Sequence, residues 1–71
     1  MLNIAENIST NILVLKNATK TSLETLAAET QLGKSKLRGF MYLKQSPKIN
    51  EIEAIATFFG LCPIDLMTKK L

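Results

Sequence analysis

The chain contains no histidine, and only one of its 71 residues, Cys62, is a cysteine. No disulfide can form within it, and a zinc site built from cysteine and histidine is excluded in practice. No apolar run approaches the roughly 20 residues of a membrane-spanning helix. The opening residues, MLNIAENIST, carry no basic segment, so they do not read as a secretory signal, and a cytoplasmic location is expected. Neither a GxGxxG turn nor a phosphate-binding P-loop occurs. The six acidic residues have no spacing that pairs them across a cleft, and they read as solvent-facing. Cys62 lacks a histidine partner and reads as a small buried hydrophobe rather than a nucleophile. No enzyme, cofactor, metal or small-molecule ligand is expected.

What remains is a short chain that is 46% apolar, too rich in hydrophobic residues for a disordered tail. Its length allows one domain, residues 1–71, around one small core. Formal net charge is +3, and its distribution is uneven. Residues 30–50 hold Lys34, Lys36, Arg38, Lys44 and Lys48 with no acid, while the segments on either side each carry −1. A phosphate backbone is the natural partner of such a patch.

Apolar periodicity predicts five short helices and no strand. The first covers residues 3–18, with Ile4, Ile8, Ile12 and Leu15 as one stripe widened by Leu13 and Val14. Asn3 with Glu6 three residues later suits a capping box. The second helix starts at Ser22 or Thr21, with Ser22 favoured, and places Leu23, Leu26 and Ala27 on one face. The third spans about Lys34 to Tyr42, with Leu37 and Phe40 inward and Lys34, Ser35, Lys36 and Arg38 on its polar side. Gly39 reads as a glycine tolerated on the exposed face. Leu43 to Lys48 form a loop. The fourth helix, about Ile49 to Phe59, repeats Ile49, Ile52, Ile55, Ala56 and Phe59, and Gly60 ends it. Pro63 opens a fifth helix, and residues 68–71 should fray. Two short helices at a steep angle, the second basic outward, suit insertion into the major groove of DNA.

The run Leu26-Ala27, four residues, then LGKSKL, two residues and Phe40 resembles the helix-turn-helix of the lambda-like phage Cro and repressor family. Leu15-Lys16, Ser22, Pro47, Ile49, Ile52, Ile55, Ala56, Phe59-Gly60-Leu61 and Leu66 extend the likeness over roughly residues 15–66. The resemblance implies an all-α, lambda-repressor-like DNA-binding domain with its helix-turn-helix at about residues 22–42. It implies a Cro-like repressor that binds a palindromic operator on double-stranded DNA as a weak homodimer, in a prokaryotic cell or a phage-infected host. Lys34, Ser35 and Arg38 would read bases. Lys16, Ser22, Lys36, Lys44, Gln45 and Lys48 would contact the DNA backbone. Independently of the resemblance, Phe58, Leu61, Ile64 and Met67 are more apolar residues than a chain end with so short a final helix can turn inward, and they would form the dimer interface, unless Phe58 and Met67 simply finish the monomer core. The alternative is a protein-interaction module on the same fold, such as an antitoxin or anti-repressor.

The chain departs from the family at several places. Gln31 stands where the family's turn has glycine, and Gly33 where it has a serine cap. Either Gln31 accepts a left-handed conformation, or the second helix runs to Leu32 and Gly33 follows it as the left-handed residue. Met41 and Lys16 replace the family's buried Glu–Arg pair, so Met41 should pack and Lys16 should be free to reach phosphate. Leu43 replaces a glycine, so the turn that follows the third helix should differ.

Overall fold

The computed structural model describes residues 3–71. The expected domain of residues 1–71 thus includes Met1 and Leu2, which lie outside the described residues. Five helices follow one another: α1 (Ile4–Ala18), α2 (Leu23–Thr30), α3 (Lys34–Met41), α4 (Ile49–Phe58) and α5 (Pro63–Thr68). No strand occurs among the described residues, so the chain is all-α. Among them, too, no helix is long and apolar enough to cross a membrane.

Local chemistry sets the starts of the helices. The Asn3 side chain accepts a hydrogen bond from Glu6 N–H at 3.1 Å and caps α1. Ser22, rather than Thr21, caps α2, its Oγ accepting from Thr25 N–H at 3.0 Å. Pro63 opens α5, where its missing N–H leaves no donor unsatisfied.

The helix ends are less conventional. Lys20, Gln31 and Leu43 all take a positive φ, of 54°, 61° and 60°. After α3, Lys44 N–H donates to Gly39 C=O at 2.8 Å and Leu43 N–H to Phe40 C=O at 3.4 Å. This is the Schellman closure, with a leucine at the position glycine usually fills. The expectation of a different turn there is therefore corrected: the reversal is a standard one, and Leu43 takes on the left-handed backbone that costs a side-chain-bearing residue about 1 kcal/mol. The same closure follows α1 at Lys20 and α4 at Gly60. Between α2 and α3, Gln31 is the left-handed residue that ends α2, which decides between the two geometries open at that turn. Gly33 also has a positive φ, of 81°.

The core joins Ile8, Ile12, Leu26, Ala27, Leu37, Phe40, Met41, Ile52, Ile55, Ala56 and Leu66. Packing joins α1 to α5 and α3, α2 to α4 and α3, and α4 to α5. Several sequence expectations need correction. Ile4, Leu13, Val14 and Ile49 are exposed, because a stripe gives a helix its phase but not the extent of its partners. Cys62 is exposed at the α5 N-cap rather than buried.

Two polar residues sit inside the apolar face of α1. Ser9 donates its hydroxyl to Met41 C=O at 2.6 Å, taking up a carbonyl freed where α3 ends. Asn11 donates to Leu66 C=O at 2.8 Å and Lys69 C=O at 2.6 Å, and accepts from Leu71 N–H at 3.0 Å. Residues 68–71 are therefore tied to α1 instead of fraying.

Candidate nucleic-acid interface

The candidate surface is built on α3. Leu37, Phe40 and Met41 are buried on one side of this eight-residue helix, and their packing fixes its rotation. Lys34, Ser35 and Arg38 are exposed: Ser35 and Arg38 lie away from that side, and Lys34, in register with Leu37 and Met41, stays exposed at the first turn of the helix. Their spacing of three and four residues puts Ser35 and Lys34 each within one turn of Arg38. Seen from solvent, α3 thus presents three hydrogen-bonding side chains over about 6 Å of helix.

Ionic contacts hold this face unevenly. Lys34 Nζ lies 3.6 Å from Glu24 on α2, and both side chains are well exposed. Such a pair contributes little and leaves Lys34 available. Lys36 is different: its Nζ lies 2.7 Å from Glu51 Oε2 on α4. Glu51 is only 5% exposed, which corrects the expectation that all six acids face solvent. Its other oxygen, Oε1, accepts from Lys48 N–H at 2.7 Å. One carboxylate therefore satisfies the first turn of α4 and anchors α3 through Lys36. The positive end of the α4 dipole favours the anion there as well. The resemblance suggested an ion pair from first helix to third, which Lys16 and Met41 cannot make. This chain has instead a pair that runs from third helix to fourth.

Lys36 is thereby committed inside the protein more than to a DNA backbone. Counting Glu24 and Glu51 with the five central cations leaves the surface a net +3. Among the described residues, Arg38, Lys44 and Lys48 make no ion pair. Lys44 and Lys48 are exposed on the loop that follows α3, Lys16 is half-buried near the end of α1, and Ser22 is exposed at the start of α2. Gly39, expected on the open face, is buried, and Gln45 covers it. Of the expected dimer residues, Phe58, Leu61 and Met67 are half-buried against the monomer core, with the Phe58 and Phe59 rings edge to face at 4.9 Å. Ile64 stands apart at 61% exposure.

The Lys36 ammonium, followed by the Lys48 N–H, holds the Glu51 carboxyl below its ordinary value of 4.5, and burial opposes them only in part. The pair therefore stabilises the fold fully above that ordinary value. As pH falls through the lower folded value, the carboxyl takes up a proton and the contribution is lost. Acid should lower the melting temperature of the parent chain in this window. Glu51→Gln should melt lower at pH 7, by an amount matching about 1–3 kcal/mol, and show a shallower decline in acid. Identical acid profiles for the two proteins would remove Glu51 from this role.

Sequence reasoning missed Glu51 because Lys48 is not a capping residue type, so the acid three residues on carried no visible capping signature. Residues missed for other reasons are Ser9 and Asn11, whose burial breaks no apolar period. No protein-family model, no curated protein and no solved structure matches this chain.

Proposed function

We propose that this chain is a sequence-specific DNA-binding regulator, with α2 and α3 as a helix-turn-helix of the lambda-like Cro and repressor kind. The observation that carries the reading is the split of α3: Leu37, Phe40 and Met41 are locked in the core while Lys34, Ser35 and Arg38 project together. Placed in a major groove, Lys34 and Arg38 would donate to guanine O6 and N7, and Ser35 to several bases. Lys44, Lys48, Lys16 and Ser22, with the first N–H groups of α2, would hold phosphates and fix the register. Lys36 chiefly positions α3 through Glu51.

One such helix reads too few base pairs to discriminate within a genome. A two-fold dimer would set two of them about 34 Å apart on a palindrome. Ile64 is its leading contact, with the half-buried Phe58, Leu61 and Met67 behind it. The contact is small, so the pair would form mainly on DNA. Such a protein acts as a repressor in the compartment that holds the genome, a prokaryotic cytoplasm.

Lys34→Ala tests the reading. It should weaken binding to a selected site by about 1–3 kcal/mol and relax base preference there, with little change on random DNA. Equal losses on both would demote Lys34 to a phosphate contact. A second reading, a protein-interaction module such as an antitoxin or anti-repressor, draws on Tyr42, Leu43 and Ile49. These three are 67%, 51% and 65% exposed around the loop beside α3. Absence of DNA binding even at low salt would favour it.

A further inference from the structure

On the reading of α3 as the groove helix, one position on its outward side is vacant. Gly39 follows Ser35 by one turn and Arg38 by one residue, so its Cα faces away from Leu37 and Met41. It has no side chain to offer a base. It is nevertheless buried, and the atoms above it belong to Gln45. A Cβ built on Gly39 would lie 3.0 Å from Gln45 Cγ, Cδ and Nε2 alike. The glutamine thus lies across the glycine, its amide against the helix.

The backbone holds it there. Leu43, with its φ of 60°, turns the chain back along α3. Lys44 and Gln45 both donate their N–H groups to Gly39 C=O, at 2.8 and 3.1 Å. Yet none of the side-chain hydrogen bonds among the described residues involves the Gln45 amide, and the residue is exposed. A side chain fixed at its base, laid on the helix and free at its tip is preorganised for a ligand that offers both a donor and an acceptor.

We propose that Gln45 reads a base, delivered from the loop through the gap that Gly39 leaves, and is not the phosphate contact its sequence position suggests. The edge that matches a planar amide is adenine, whose N6 donates and N7 accepts. The outward face would then read with four side chains: Lys34, Ser35, Arg38 and, from outside the helix, Gln45.

The experiment is selection of bound sites from random duplex DNA with the parent chain, Gln45→Ala and Gly39→Ala, alongside Lys34→Ala. The parent should select a site with an adenine at one position per half-site that Gln45→Ala relaxes by about tenfold or more, other positions holding. Gly39→Ala is the independent arm. Position 39 is helical and alanine suits a helix, so the fold should persist or gain stability. The new methyl group pushes Gln45 off its seat, and the same position should relax although no polar group was removed. Weakening of every sequence alike by Gln45→Ala would make Gln45 a phosphate contact and overturn the inference. So would unchanged preference at every position. In both cases a Lys34-dependent site would leave the parent reading standing. If the parent chain selects no site, both fall together.

Discussion

Replacing Phe40 with alanine should unfold the chain or bring it to the edge of unfolding. Phe40 is 2% exposed and belongs to the single core where α3 meets the rest of the molecule. Truncation of a buried phenylalanine costs about 3–5 kcal/mol, the sum of lost transfer energy and the cavity left behind. A domain of this length has roughly 4–10 kcal/mol in total. A fall in melting temperature on the order of 20 °C is expected, with helical circular dichroism lost near physiological temperature. Near-normal melting of Phe40→Ala would mean that the rotation of α3 is wrong, and with it the outward placement of Lys34, Ser35 and Arg38.

Asn11→Leu should come close in effect, for the opposite chemical reason. The substitution nearly preserves size and adds apolar surface at a site that is 1% exposed. Apolar bookkeeping alone would make it neutral or better. But leucine would leave Leu66 C=O, Lys69 C=O and Leu71 N–H without their partner. Each buried group stranded in this way costs about 1–3 kcal/mol, and partial access to water at Lys69 and Leu71 softens the total to about 2–4 kcal/mol. Hydrogen exchange should locate the damage, with protection lost first in α5. A stable Asn11→Leu protein with α5 still protected would show that these bonds contribute nothing net.

The two substitutions divide what was legible in the sequence from what was not. Phe40 was legible because a buried aromatic three residues after Leu37 states the helix phase directly. The cap at Asn3, the cap at Ser22 and Pro63 at the start of α5 were legible for a related reason: each residue type has a specific bond to make, or to omit, at a helix start. Asn11 was not legible, since a polar residue beside a stripe of isoleucines looks like the solvent edge of that stripe. Its burial depends on carbonyls more than fifty residues away in sequence. The left-handed residues Lys20 and Leu43 were hidden because the Schellman closures there are local hydrogen bonds at a position glycine usually marks, and neither side chain announces them. Within the candidate interface, the exposed polar residues Lys34, Ser35 and Arg38 of α3 were legible from helix periodicity, while their reading as base contacts came from the resemblance. The commitment of Lys36 to Glu51 and the seating of Gln45 on Gly39 did not, because each joins parts of the chain whose approach only the assembled fold defines.

The pairing of α1 with α5 has a consequence for the timing of synthesis. The helix made first has as its main partners α3 and the helix made fifth, and sixty residues separate Asn11 from the Leu71 N–H it accepts. At about 5–20 residues per second, a ribosome would leave α1 without that partner for roughly 3–12 s. During that interval Ile8 and Ile12 have no complete apolar seat. Slower synthesis of the stretch between α1 and α5 should lengthen that interval in proportion.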